Sequence, residues 1–503
     1  MKINIGYFLY KRAMLSPNKE ALVVGETRRT YRELNQRANR LAHAMQDLGV
    51  GHGDRVAVLA LNEPEYLELY FGLGKIGAIM VPLNHRLAGP EIEYIVNNCQ
   101  ASVMIFGPEF AEVTGTIRKH IPPEKFLALM DAPPDWAEAY EPLISAAPAD
   151  EPEHIGGDDD TLTILYTSGT TGRPKGAELT HDGYYGNSVN LKSTFGEVGE
   201  ILLMPLPLFH IGALAPVPMA VHFGQKMIFQ KAFEPGEFLK LIQTEGITWF
   251  GSVPQVLMFL RSVPEFETFD WSQIQMALVY AAPVPVTLIR EFAEKGMEIR
   301  QLYGMTECTG PATVIDGENA INKAGSCGPP LFHTDIRVVD DEGRDVPPGE
   351  VGEVLIRCTH QMKGYWNNPE ATAATLKDDW LYSGDIAKKD EDGFLYILDR
   401  KKDMIISGGE NIYPAEIEDC LLGHPGVADV GVIGTPDEKW GEAVKAIVVL
   451  AEGQELAADE LITWAAERIA RFKVPRQIEF TDAIPRTPTG KILKRVLRDQ
   501  FGA

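Results

Sequence analysis

A chain of 503 residues exceeds what one compact core holds, so two or more domains are expected. Apolar residues make up 45% and charged residues 23%, the balance of a soluble globular protein. The 71 acidic against 47 basic side chains leave a net charge of −24, which sets nucleic acid aside as a partner but leaves room for a local anion site.

The opening MKINIGYFLYKRAML is interrupted by charge and has no small-residue cleavage site, so it does not read as a signal peptide. No uncharged apolar run approaches the ~20 residues of a membrane-spanning helix. Thr30-Tyr31-Arg32-Glu33 has capping-box spacing, and Leu34, Ala38, Leu41, Met45 and Leu48 then recur at helical intervals until Gly49. A strand over 55–61, a helix over 65–76, a strand over 79–83, a helix over 90–98 and a strand over 102–106 follow. That alternation predicts parallel α/β layers. Residues 131–160 are rich in Pro, Ala and acids and predict an exposed connection, with a boundary between two α/β lobes expected there.

Leu162 to Tyr166 reads as a buried strand, and Thr167-Ser168-Gly169-Thr170-Thr171-Gly172-Arg173-Pro174-Lys175-Gly176 follows it. Glycines let backbone N–H groups approach a bulky anion, hydroxyls add donors, and a flexible ammonium can follow a phosphate. The spacing is not that of a Walker loop, and Pro174 with Gly176 discourages an immediate helix. An ordinary Gly/Thr turn fits the composition equally well.

Alternation resumes to about residue 310. Gln301-Leu302-Tyr303-Gly304-Met305-Thr306-Glu307 offers an aromatic ring, a glycine, a hydroxyl and a carboxylate, which suits a purine nucleotide with a hard cation or, equally, a capped strand end. Turn signals from Gly325 to Tyr365 predict a small antiparallel β unit. Ser383-Gly384-Asp385 presents a carboxylate able to hold paired hydroxyls, or a plain turn. Five charges in a row, Asp399 to Asp403, break the pattern before a compact α+β segment. Gly408-Gly409 after a strand permits close backbone approach or a hairpin turn. Pro485 to Lys491 ends a turn on a lysine. Arg468, Arg471, Lys473, Arg476, Lys494, Arg495 and Arg498 make the tail locally basic, which fits a solvated helix face, coenzyme A phosphate contact or weak attraction to a membrane surface. Cys99, Cys308, Cys327, Cys358 and Cys420 lie far apart with no C-x-x-C. Neither zinc nor a disulfide framework is indicated, and a reducing cytoplasm is the expected location.

Taken together, the stretch from Tyr166 to Gly176, the segment Tyr303 to Glu307, Asp385 with Arg400, Gly408-Gly409 and the terminal Lys491 resemble, in order, the signatures of the adenylate-forming superfamily. That family comprises acyl- and aryl-CoA synthetases, luciferases and the adenylation domains of peptide synthetases. The resemblance covers essentially the whole chain. It implies a large N-terminal α/β domain of two layered lobes plus a small β-barrel (1–400) and a smaller mobile α+β C-terminal domain (401–503), hinged at Lys402.

By the same resemblance Thr167, Ser168, Gly169, Thr170, Thr171, Gly172 and Lys175 bind the ATP phosphates. Ala281, Ala282 and Pro283 flank adenine, Tyr303 stacks on it beside Gly304 and Met305, and Thr306 binds the α-phosphate. Glu307 and Thr167 hold Mg2+, Asp385, Ile397 and Arg400 bind the ribose side, and Gly408 and Gly409 line the coenzyme A tunnel. Lys491 is the catalytic lysine. His210 borders the reacting carboxylate, with Ile211, Tyr280, Ala281 and Gly304 in the acyl pocket. Tyr280 and Ala281 stand where small residues or glycine are commoner, which leaves open whether Tyr280 floors the pocket or swings aside.

The implied activity is ATP-dependent formation of an acyl-adenylate, then transfer to coenzyme A, with a medium- to long-chain fatty acid as the expected acid. The pocket segments carry no Arg or Lys for a second carboxylate. An aryl-CoA ligase is the near alternative. A stand-alone amino-acid adenylation enzyme lacks its expected aspartate near Trp249-Phe250-Gly251-Ser252, and no carrier domain follows Ala503. A luciferase-like oxygenase has nothing in the sequence asking for it. A nucleotide-binding regulatory protein without chemistry has retained Glu307, Asp385 and Lys491 against it. Self-association and weak peripheral membrane contact are left open.

Overall fold

The computed structural model describes residues 2–167, 173–196, 199–407, 410–437, 439–487 and 490–502. Two eight-stranded sheets form the N-terminal part. One runs, in spatial order, through Gly310–Val314, Ile299–Met305, Met276–Val279, Trp249–Ser252, Ile201–Met204, Lys226–Phe229, Glu20–Val24 and Thr27–Thr30. The other runs through Gly364–Tyr365, Lys175–Thr180, Thr161–Thr167, Ile79–Pro82, Arg55–Leu59, Val103–Phe106, Lys125–Ala128 and Glu138–Ala139. Their central strands are parallel and read as short, fully buried apolar runs, because helices cover both faces.

Thr30 caps the helix Tyr31–Asp47 in a full capping box with Glu33, as its spacing predicts. The later alternation holds to within a residue or two: Arg55–Leu59, Glu65–Lys75, Ile79–Pro82, Gly89–Cys99 and Val103–Phe106. The lobes, however, do not divide in sequence at 131–160. The chain begins in the first sheet with Glu20–Thr30, crosses to the second for 55–180, and returns at Ile201. Nor is the 131–160 connection simply exposed. Trp136 stacks on Phe106, and the helix Tyr140–Ala146 buries Tyr140 and Ile144. Beyond it, Lys75, fully buried, donates to Asn35 (2.8 Å), Asn39 (2.7 Å) and Glu151. Acids that look solvated in sequence are here the counter-charge of a buried lysine.

A five-stranded antiparallel sheet follows, with Thr334–Val339, Val351–Cys358, Trp380–Lys389, Leu376–Lys377 and Leu395–Arg400. It extends past the predicted Tyr365, which itself leaves to pair with Ala177 at the edge of the second sheet. From Ile405 on, a second five-stranded sheet packs the helices Pro414–Leu422 and Ala458–Ala466 around a core of Ile405, Ile412, Ile417, Leu421 and Val432, while Leu497 of the helix Lys494–Phe501 packs against Ile433, Ile447 and Ile484. Lys494 and Arg498 are not a solvated face. They pair with Asp399 (3.1 Å), Glu418 (3.3 Å) and Asp403 (2.9 Å) and tie the C-terminal part to the end of the strand Leu395–Arg400.

Candidate active site

The strand Ile299–Met305 ends in a 3-10 turn, Thr306–Cys308, and doubles back as Gly310–Val314. The two strands approach so closely at Gly304 that a Cβ there would lie 2.2 Å from the Gly310 carbonyl oxygen, so only glycine fits. This places Tyr303 opposite the strand Trp380–Lys389. The Tyr303 hydroxyl donates to Asp385 Oδ2 (2.6 Å), and Arg400 Nε meets Asp385 Oδ1 (2.6 Å). Asp385 faces Arg400 directly in the ladder between their strands. Asp385 raises the Arg400 pKa, and burial followed by Asp385 raises that of Tyr303. The carboxylate is buried among donors yet has lone pairs left for two further hydroxyls. Ile397 is half-buried two registers along the same ladder.

Behind this group the hairpin between Thr161–Thr167 and Lys175–Thr180 brings Thr167 opposite Lys175. Ser168 to Gly172 lie outside the described residues. The Lys175 ammonium sits 5.1 Å from the centroid of the Tyr365 ring, whose hydroxyl donates to Glu307 Oε1 (2.7 Å). Glu307 is buried, and its backbone carbonyl accepts from Met362 N–H (2.8 Å). Lys175 and Glu307, with Thr306 beside it, are therefore drawn together through Tyr365. Tyr365, which links two of them, was missed. A single Gly-Tyr pair carries no signal, and only its pairing with Ala177 brings it to the site.

Lys491 lies on a turn pinned by Arg486, which pairs with Asp429 and donates to the Gly490 carbonyl (2.6 Å). The turn abuts the helix Pro254–Leu260, where Gly490 approaches Gln255. The lysine keeps solvent access. Desolvation pulls its ammonium pKa below the lysine value and Arg400 adds to that pull, against Asp385 and Glu307. A residue nearly two hundred positions from Glu307 in sequence is thus its electrostatic neighbour. Gly408 and Gly409 lie outside the described residues, between the paired strands Ile405–Ser407 and Glu410–Ile412. Lys402 is exposed in the turn after Arg400.

The remaining wall is apolar. His210 precedes the short helix Ile211–Leu214, and its ring lies 4.3 Å from that of Phe209, centroid to centroid. Burial, with Arg86, Lys491 and His85 as like charges, pushes its pKa down to about 3, so the imidazole is neutral at pH 7. Its Nε2 has no partner among the described residues. Arg86 and His85 were not foreseen here, since they come from the loop after Ile79–Pro82 in the other sheet. Tyr280 lies half-buried across the same wall and donates to the Gly212 carbonyl (2.7 Å). Ala281 adopts φ 74°, the left-handed region that glycine enters freely, in keeping with the glycine commoner at that position. Ala282 is half-buried and Pro283 exposed at the rim.

Among the described residues no three His, Cys, Asp or Glu side chains cluster to cage a metal. A buried carboxylate with one oxygen engaged by Tyr365, and a threonine hydroxyl, are hard oxygen donors. They suit Mg2+, which keeps waters and phosphate oxygens as its other ligands.

The family model for AMP-binding enzymes matches residues 9–366, and that for the AMP-binding enzyme C-terminal domain matches 416–491. The chain belongs to the AMP-binding enzyme family. It is 43% identical over 505 residues to the long-chain-fatty-acid–CoA ligase FadD13 of Mycobacterium tuberculosis, covering 99% of each. It is 42% identical over 504 residues to a feruloyl-CoA synthase of Amycolatopsis sp, again covering 99% of each. The solved O-succinylbenzoate coenzyme A synthetase of Bacillus subtilis with ATP and a magnesium ion superposes at a TM-score of 0.87 and 32% identity, covering 98% of this chain and 99% of that one. With the adenylation signatures in one cleft, the protein is an AMP-forming acid–CoA ligase.

Proposed function

We propose that the acid is an apolar monocarboxylate, with medium- to long-chain fatty acids ahead of aryl acids. The observation that carries this reading is the wall of Phe209, His210, Gly212 and Tyr280 beside the nucleotide cluster, which offers apolar surface and a neutral imidazole. A second carboxylate held against that wall would be an unpaired buried charge, which is prohibitive. Among the described residues Arg86 acts on His210 from outside the nucleotide cluster, and malonate belongs in the test for that reason.

In the first half-reaction a carboxylate oxygen attacks the α-phosphorus of ATP and pyrophosphate leaves. Tyr303 packs against adenine, Asp385 and Arg400 take the ribose hydroxyls, and Lys175 with the 168–172 loop holds the phosphates. Lys491 and Thr306 stabilise charge at the carboxylate and α-phosphate. Glu307 and Thr167 are the residues that would hold Mg2+, and a bound divalent ion supplies neutralisation of phosphate charge. In the second half-reaction the coenzyme A thiolate attacks the acyl carbon and AMP leaves. Rotation of residues 401–503 about Lys402 brings Gly408-Gly409 to line the thiol tunnel. Adenylation makes the carboxyl oxygen a good leaving group, so the protein's part is chiefly positioning and charge stabilisation.

No helix among the described residues is long and apolar enough to cross a membrane. With thiols and no disulfide among those residues, the proposed location is the cytoplasm. The test is a panel from acetate through palmitate, with benzoate, cinnamate and malonate, ranked by kcat/KM in coenzyme A thioester formation. Fatty acids should lead; benzoate or malonate at the head overturns the reading.

A further inference from the structure

The ring of Tyr280 occupies a slot that only glycines leave open. It projects from the end of the strand Met276–Val279, with its own N–H bonded to the Ser252 carbonyl (3.1 Å). It crosses to the helix Ile211–Leu214, where its hydroxyl donates to the Gly212 carbonyl (2.7 Å). A Cβ on Gly212 would lie 2.5 Å from Tyr280 Cε2, and one on Gly251 would lie 2.6 Å from its hydroxyl oxygen. No real Cβ tolerates either distance, so the ring fills the gap between that helix and the strand Trp249–Ser252 from side to side. His210 lies two residues before Gly212, at the start of the same short helix. The far edge of the slot meets Met204, whose Cε lies 3.0 Å from the same Gly251 Cβ position.

We infer that Tyr280 is the specificity-determining residue of the acyl site, a plug latched to the Gly212 carbonyl that stops the acyl chain at the Gly212–Gly251 slot. This rests on the fatty-acid reading and narrows it to medium-chain acids over long ones. A chain entering past His210 reaches the ring face, and a longer chain proceeds toward Met204 only if the ring leaves its slot. Leaving breaks the Gly212 hydrogen bond and strips a half-buried carbonyl of its donor, so the closed position is favoured without a ligand. The wall the ring presents is apolar, because its only polar atom is already engaged.

The experiment compares kcat/KM for octanoate and palmitate in the wild type, Tyr280→Gly and Tyr280→Phe. The wild type should favour octanoate. Tyr280→Gly opens the slot, and the palmitate-to-octanoate ratio should rise by roughly tenfold or more, since even one methylene gained or lost in an apolar pocket changes selectivity by about that factor. Tyr280→Phe keeps the ring but loses the latch and should raise the ratio by a smaller factor. Thermal midpoints show whether each variant folds; if the glycine variant does not, the phenylalanine variant decides. A ratio unchanged in the folded variants overturns the plug. A wild type that favours aryl acids over both fatty acids overturns the fatty-acid reading separately. The same variants are then compared on benzoate against 5-phenylpentanoate, where the plug predicts the gain for the longer acid and an unchanged ratio refutes it.

Discussion

Desolvation, with the Arg400 guanidinium adding to it, pulls the Lys491 ammonium pKa below the ordinary lysine value against the opposing carboxylates of Asp385 and Glu307. Its cation is present below its lowered pKa and is lost as pH rises through it. Pyrophosphate exchange should therefore fall on an alkaline limb that begins below the usual lysine value of 10.5. Lys491→Arg removes that limb, because a guanidinium does not titrate there; a limb of the same midpoint in that variant assigns it to another group. Lys491→Ala should cut adenylate formation by ~10²–10³ while sparing thioester formation from supplied acyl-adenylate. Equal loss in both half-reactions would mark the lysine as structural. Tyr365 acts at one remove, through its hydrogen bond to Glu307. Tyr365→Phe leaves a buried carboxylate short of one donor, and kcat/KM for ATP should drop roughly tenfold with the fold intact, the worth of a hydrogen bond to a charged group. An unchanged ATP dependence across a magnesium titration would exclude that positioning role.

At the scale of elements, the seating of the helix Glu65–Lys75 against the segment around Glu151 depends on charge hidden between them. Lys75 ends the helix Glu65–Lys75 fully buried, and burial pulls its pKa down to about 8. Glu151, with His154 and Lys75 as partners, is held at about 2, so the pair is ionised at neutral pH. Removing one charge from such a pair strands the other, which typically costs ~3–5 kcal/mol. Glu151 is partly exposed, so Glu151→Gln should cost about 3 kcal/mol, toward the low end. The loss is read as a lower urea midpoint. Because the carboxylate pKa is depressed on folding, its contribution is full above about pH 4.5 and disappears as pH falls through about 2. The variant should accordingly match the wild type in acid stability below that range; a gap that persists there points to packing instead.

For the molecule as a whole, bonds to Asp399 just before Lys402 hold the C-terminal part to the strand Leu395–Arg400, while Asp403 just after it bonds within that part. Asp399 accepts from Lys494 (3.1 Å) and from the Ala415 N–H (3.0 Å), and Asp403 from Arg498 (2.9 Å). This orientation puts Lys491 within electrostatic reach of Arg400, Asp385 and Glu307, as its proposed role in adenylation asks. On the proposed hinge at Lys402, the Asp399 bonds are those that rotation must break. Gly409→Leu should then leave pyrophosphate exchange near the wild-type rate while acyl-CoA production falls at least tenfold, because a leucine in the thiol tunnel blocks only the second half-reaction. If both half-reactions survive the substitution, the tunnel assignment is wrong.

Local chemistry made the motifs legible in sequence. Glycines, hydroxyls and charged residues at fixed spacings carried the family resemblance at 167–176, the Tyr303–Glu307 turn, Asp385 with Arg400, and Lys491. The buried apolar runs and capping signals of the first lobe were equally local, which is why those strands and helices were predicted to within a residue or two. Tertiary structure decided what depends on neighbours distant in the chain. It returned residues 20–30 to the sheet of residues 201–314, because strand pairing is chosen by burial and crossover geometry rather than by order of synthesis. It turned acids of an exposed-looking linker into partners for Lys75, brought Tyr365 to Glu307, and set Arg86 and His85 against His210. It also seated the Tyr280 ring against Gly212 and Gly251, a fit that exists only once helix and strand are packed together and on which the proposed plug rests.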